Sequence, residues 1–188
     1  MQTLILQTIA DRPASGAVAK NFVNHAPIVE PPFPDFGKWL TYQESIRSQT
    51  ATRLGIINAP NQEQYDNMVH LYEDFYVPIC EHFGKLPVSS FYRCPKLNKA
   101  VGGASDSAHL YGCAVDITTI GVANLTNRQL FDWCRKTFKF DQLILEHPDK
   151  SGNPQWVHIA HNRHGQKDRN ELLLAYFVGK KTKYNVLT

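Results

Sequence analysis

Cysteine is sparse in this chain and never clustered. Cys80, Cys94, Cys113 and Cys134 form no Cys-x-x-Cys pair, which argues against a cysteine-based zinc knuckle. They read as reduced, mostly buried thiols of a protein that folds in a reducing compartment. Charge runs are missing too. No five consecutive residues share one sign and the net charge is only +3, so nucleic-acid binding has little support. A mildly basic surface suits an anionic polymer, as it does in many unrelated proteins. No apolar run approaches the roughly 18 residues needed to span a bilayer. The opening MQTLILQTIADRPASG has no basic n-region, and Gln and Thr interrupt its apolar stretch, so no signal peptide is expected.

What is present is an ordinary globular composition. With 188 residues, 43% hydrophobic and 20% charged, the chain is long enough for one domain, or one domain plus an appendage. Such a length buries a core without disulfide staples. Pro31-Pro32-Phe33-Pro34 marks a boundary. Residues 1–36 read as an N-terminal extension and residues 37–188 as the domain.

Inside the domain, three capping boxes punctuate the text: Thr41 with Glu44, Asn61 with Gln64, and Thr126 with Gln129. The second opens a long helix on which Tyr65, Met68, Val69, Tyr72, Phe75, Ile79 and Phe83 follow at three- and four-residue steps. Gly84 ends it, and Pro78 should kink or split it. The third leads into Leu130, Phe131 and Cys134 on one helix. Residues 86–92, 113–119, 140–145 and 155–160 read as strands, with hairpin-loop chemistry over 147–154. Residues 171–178 form a strand or a helix; periodicity does not decide. Helices first and strands later predict an α+β domain, with helices packed on a mostly antiparallel sheet.

The segment that carries chemistry is Ser107-Ala108-His109-Leu110-Tyr111-Gly112-Cys113-Ala114-Val115-Asp116. Gly112 permits a sharp turn between His109 and Asp116, after which both side chains can face one point. Imidazole nitrogen and carboxylate oxygen are both zinc ligands, and a catalytic zinc site uses three protein ligands plus water. His158, in the run Trp156-Val157-His158-Ile159, is the best third candidate. It shares a strand face with Trp156, and it is either a core histidine bonded to its neighbours or a ligand.

The run Ser-x-His-x-x-Gly-x-Ala-x-Asp, followed later by Trp-Val-His, resembles the zinc D-alanyl-D-alanine carboxypeptidase and L-alanyl-D-glutamate endopeptidase family. That family includes bacterial cell-wall enzymes and bacteriophage endolysins, and hedgehog signalling domains share its fold. Upstream, Ser90-Phe91-Tyr92-Arg93-Cys94-Pro95-Lys96-Leu97-Asn98 is similar to the family's Ser-Gly-Tyr-Arg-Ser-Pro-x-Leu-Asn segment, and Val101-Gly102-Gly103 follows as expected. The resemblance runs from about Leu40 to Ala160. It implies a hedgehog-like, DD-peptidase-like fold, one zinc ion per chain, and His109, Asp116 and His158 as its ligands. It also implies a peptidoglycan stem peptide as substrate. Carboxypeptidase and endopeptidase members share these motifs and differ in loops. Such an enzyme, made in the cytoplasm without a signal peptide, needs release or delivery by another agent to reach cell wall.

One position departs from part of the family. Some members carry an acidic residue three positions before the last histidine; here it is Gln155, which cannot take a proton from water. Glu146, at the end of the 140–145 run, resembles a glutamate at a strand end in the hedgehog-like branch and becomes the candidate general base, with a solvated loop-edge carboxylate as the bland alternative. The arginine matching Arg93 meets substrate near the metal in the family, so Arg93 is a candidate for substrate binding and oxyanion stabilisation; a surface arginine is the alternative. Ser107 either hydrogen-bonds substrate, orients His109 or caps a turn. His161 could lie near the site but reads better as a polar strand-end residue, and His147 reads as a loop residue. His25, His70, His82 and His164 receive no role.

Two other functions compete with the peptidase. The same fold could serve as a catalytically silent, zinc-stabilised binding or structural module of a phage particle or cell-wall assembly, and Glu146 is the residue that separates the two. A cysteine hydrolase built on Cys113 lacks an activating motif.

Overall fold

A computed structural model describes residues 32–163, 166–179 and 181–187. The expected extension over residues 1–36 therefore lies almost wholly outside the described residues, as do His25 and His164. From residue 32 onward the chain is described, and Phe33 stacks on Tyr65 with ring centroids 4.4 Å apart.

Helices dominate the first half: α1 (Tyr42–Ile46), α2 (Gln49–Leu54), α3 (Gln62–Leu71), α4 (Val77–Phe83), α5 (Pro95–Ala100) and, later, α6 (Asn127–Thr137). All three expected capping boxes are formed, at α1, α3 and α6, with side chain and backbone bonded reciprocally. Each N-cap of this kind is worth about 1 kcal/mol and fixes where its helix begins. The long helix expected over residues 61–83 is split. Between α3 and α4 the chain widens into a π-helical segment, Tyr72–Tyr76, in which the Val77 N–H bonds to the Tyr72 carbonyl. Pro78 is the cause: it has no N–H for the carbonyl of Asp74, and its ring crowds that carbonyl. The wide turn relieves both while keeping Leu71, Tyr72, Phe75, Tyr76 and Ile79 buried.

Among the described residues, six strands form one sheet in the order β1-β2-β4-β3-β5-β6. They are β1 (Val88–Ser90), β2 (Ala114–Ile117), β3 (Gln142–Glu146), β4 (Trp156–Ala160), β5 (Glu171–Val178) and β6 (Lys181–Val186). Only β3 and β5 pair in parallel; the other neighbours are antiparallel. The domain is thus α+β, and residues 171–178 resolve as a strand. Neither α2, α5 nor β6 was among the expected elements.

The strand period of two divides the sheet into two faces. Val115, Ile117, Leu143, Leu145, Val157 and Ile159 point to the helices and join Met68, Leu71, Phe75, Ile79, Leu130 and Phe131 in the core. Each such buried side chain contributes about 2 kcal/mol of apolar burial. The intervening residues, including Asp116, Ile144, Glu146, His158, Leu173 and Ala175, stand on the other face. All four cysteines are free thiols, with Cys80, Cys113 and Cys134 buried and Cys94 half-buried. No helix among the described residues is long and apolar enough to cross a membrane.

Candidate metal centre and active site

His109 is delivered by a 3₁₀ turn, Ala108–Tyr111, that ends at Gly112 in the left-handed conformation with φ +73°. A side-chain carbon at 112 would run into the Gln64 carbonyl and the Met68 side chain, so glycine is required on two counts. Helix α3 grips this turn. Gln64 donates its side-chain amide to the Leu110 carbonyl at 3.1 Å, and Asn67 donates to the Tyr111 carbonyl at 2.9 Å. From the other side, the His109 N–H at Nδ1 donates to the Phe91 carbonyl at 2.5 Å, and the Arg93 N–H returns a bond to the His109 carbonyl at 3.2 Å.

The segment holding Phe91 is itself pinned by Asn58. This buried amide donates to the carbonyls of Ile46 and Tyr92, at 2.8 and 3.0 Å, and accepts from the Cys94 N–H at 2.8 Å. Sequence reasoning missed Asn58, because a lone asparagine between Ile57 and Ala59 carries no periodic or motif signal. Asn127 was missed as well. It accepts from the Thr119 N–H and donates to the carbonyls of Pro154 and Gln155, tying the end of β2 to the loop before β4.

Asp116 and His158 are direct cross-strand partners on β2 and β4. Asp116 Oδ1 lies 2.8 Å from His158 Nδ1 and 3.2 Å from His109 Nε2, while its Oδ2 accepts from the Arg93 guanidinium at 3.1 Å. All three side chains are buried, and their ligand atoms lie within 4.8 Å of one another, close enough to hold one metal ion. Burial holds His109 down to about 4 against the pull of the Asp116 charge, so the ring is neutral at pH 7 with its single proton on Nδ1. Its Nε2 is therefore a bare lone pair with no hydrogen-bond partner among the described residues. Two acceptors, Nε2 and Oδ1, face each other at 3.2 Å with no proton to share. A cation satisfies that arrangement, and the Phe91 carbonyl behind Nδ1 is the kind of outer partner that orients a metal-binding histidine. Burial works against ionising Asp116, yet its carboxyl is held well below the usual carboxylate range, with the hydrogen bond from His158 among the causes.

Glu146 is the last residue of β3 and is buried. Its strand neighbour Ile144 is the cross-strand partner of His158, which puts the Glu146 side chain on the site face, diagonally across from His158. Diagonal residues of this kind are separated by about 7–8 Å, which leaves room for a water between them. Burial pushes the Glu146 carboxyl up to about 7, with the charges of His158 and Arg93 opposing and that of Asp116 assisting. His147 adjoins it at a positive φ of 47°, with Nε2 3.5 Å from the Glu146 carboxylate and its ring stacked on Phe177 at 3.8 Å.

The remaining candidates lie as follows. Arg93 points inward to Asp116, with its Nε buried and without a partner among the described residues. Ser107 caps the His109 turn by position only, since its hydroxyl makes no cap bond. His161 stands apart at the end of β4, bridging Asp74 and Asp168 at 3.0 Å each. Gln155 is exposed. Asp149 accepts from Ser151 and Asn153 and so organises its own loop. The Cys113 thiol is pushed up to about 11, chiefly by burial, so it is no nucleophile at neutral pH.

A buried His-Asp-His cluster that could hold a metal stands beside a buried carboxyl raised toward neutrality, on the sheet face opposite the helices, an arrangement suited to metal-assisted hydrolysis. The family model described as Peptidase M15 matches residues 38–160, which include every residue of that site. The chain belongs to the Peptidase M15 family, a zinc D-Ala-D-Ala carboxypeptidase-like family, and is a peptidase. No curated protein matches it.

Proposed function

We propose that the protein is a zinc-dependent peptidase that hydrolyses peptidoglycan stem peptides, as a D,D-carboxypeptidase or an L-Ala-D-Glu-type endopeptidase of endolysin type. In this reading His109 Nε2, Asp116 and His158 Nδ1 hold one zinc ion. When bound, zinc supplies Lewis acidity to a water and to a peptide carbonyl. The observation that carries the reading is Glu146, a buried carboxyl on the site face that burial brings to about 7. There it can take a proton from the attacking water and return it to the leaving amine near neutral pH. A silent module has no use for such a group, so its placement supports the enzyme.

Arg93 serves twice in this scheme. One guanidinium nitrogen steadies Asp116 Oδ2 at 3.1 Å, and the others face substrate carboxylate or developing oxyanion. Ser107, half-buried two residues before His109, hydrogen-bonds the bound peptide. No covalent intermediate is needed. The test is digestion of purified peptidoglycan with the zinc-loaded protein, with fragments read by mass spectrometry. One class of peptide bond should be cut, cutting should stop with chelator, and added zinc should restore it. Intact peptidoglycan after prolonged incubation would remove the peptidase assignment to this substrate.

A further inference from the structure

Strand register places four residues in one row on the site face: Trp156 on β4, Glu146 on β3, Ala175 on β5 and Tyr184 on β6. Neighbouring strands are about 4.8 Å apart, so β6 stands roughly 10 Å from β3. Ala175 fills the position between with a single methyl and is fully buried. A tyrosine ring is long enough to lean across that gap toward Glu146. Burial raises its pKa, the Glu146 and Asp116 carboxylates raise it further, and Arg93 opposes them. The hydroxyl therefore stays protonated as a hydrogen-bond donor.

The ring is also half open, with Tyr184 51% exposed. Phe177 and Val186 stand on the same face of this hairpin and are exposed as well, at 59% and 67%. Lys181, Lys183 and Asn185 alternate onto the opposite face. An apolar, aromatic wall that carries the Tyr184 hydroxyl therefore stands in register with Glu146. That combination suits a peptide: the ring covers backbone and aliphatic groups, and the hydroxyl meets a carbonyl. The wall lies beyond residue 160, where the family match ends.

We propose that Tyr184 is a substrate-binding residue, donating its hydroxyl to a carbonyl or carboxylate oxygen of the bound peptide, and that the β5–β6 hairpin forms one wall of the cleft. The inference rests on the peptidase reading above. Its test uses the full-length, zinc-loaded protein and a synthetic peptidoglycan stem peptide. Tyr184→Phe should raise KM about 2- to 10-fold, the loss of one neutral hydrogen bond, with kcat within about twofold. Tyr184→Ala should raise KM further, because the ring goes too. Tyr176→Phe, on the opposite face of the same hairpin, should leave both constants unchanged, and zinc content should be normal in all three.

Calorimetric titration of the same peptide into zinc-loaded Glu146→Gln protein, with and without Tyr184→Phe, measures binding without turnover. The affinity should fall by the factor seen in KM. Hydrolysis with KM indifferent to both Tyr184 variants overturns the inference and leaves the peptidase reading standing. No hydrolysis, but binding that weakens with Tyr184→Phe, overturns the proposed hydrolysis of stem peptides alone. Neither hydrolysis nor binding overturns both.

Discussion

Replacing Glu146 by Gln should move activity and stability in opposite directions. Gln keeps the size and hydrogen-bonding reach of Glu but cannot take a proton, so turnover should fall by roughly 10²–10⁴ with zinc still bound. Stability follows from the titration. In the folded, metal-free protein burial raises this carboxyl from 4.5 to about 7. Below pH 4.5 the group is protonated whether the chain is folded or not, and it costs nothing. Above pH 7 it is ionised in both states, and the folded state carries the whole penalty. At about 1.4 kcal/mol per unit, that penalty is about 3 kcal/mol. Gln, neutral at every pH, removes it. Urea denaturation of chelator-treated protein should therefore show Glu146→Gln more stable than wild type by about 3 kcal/mol at pH 8, and by only about 1 kcal/mol at pH 5. Adding zinc should shrink the gain at pH 8, because the ion's charge favours the ionised carboxylate. Asp149→Asn, in a side chain that only organises its loop, should leave turnover intact. An equal gain at both pH values, or a loss at pH 8, would refute the account of Glu146 as a buried carboxyl held near neutrality.

Four further substitutions probe the rest of the site. His109→Ala and His158→Ala should each lose zinc and activity together, since three ligands are the minimum for a catalytic site; elemental analysis showing wild-type zinc in either variant would remove that residue from the set. Arg93→Ala should weaken zinc affinity about 10- to 100-fold through its bond to Asp116, and at saturating zinc turnover should still fall by about 10²–10³. Full turnover of the zinc-saturated variant would leave Arg93 with the aspartate alone. Gly112→Ala should destabilise the domain by more than about 2 kcal/mol, from the positive φ and the collision with helix α3 together, and zinc affinity should drop with it; a wild-type Tm would contradict the observed turn.

Sequence and structure agree best where one residue type does one local job. The three capping boxes fixed their helix starts because each is a self-contained pair of hydrogen bonds. Pro78 forecast the break in the long helix, though not that the break would take the form of a π segment before it. Helices α2 and α5, at six residues each, are too short to show a period, and β6 buries little, so its Lys-Thr-Lys-Tyr text alternates without apolar signal. At the site, His109, Asp116 and His158 were legible through spacing and resemblance, and the geometry brings them together. The supporting amides of Asn58 and Asn127 were not, because what they do depends on backbone carbonyls brought in from distant segments. Arg93 was legible as a residue of the site, but its bond to Asp116 needed coordinates.

The two-faced sheet also governs how such a chain can change. On β4, Val157 and Ile159 serve the core while Trp156 and His158 face the chemistry. Inserting or deleting one residue there would exchange the two sets, putting a histidine among the helices and a valine beside Asp116. Fold and chemistry would fail in the same step. Length variation is thereby driven out of the central strands and into the segments that border them, namely the 147–155 loop and the β5–β6 hairpin. Those are the parts that flank Glu146, so their length can change while His109, Asp116 and His158 stay in register.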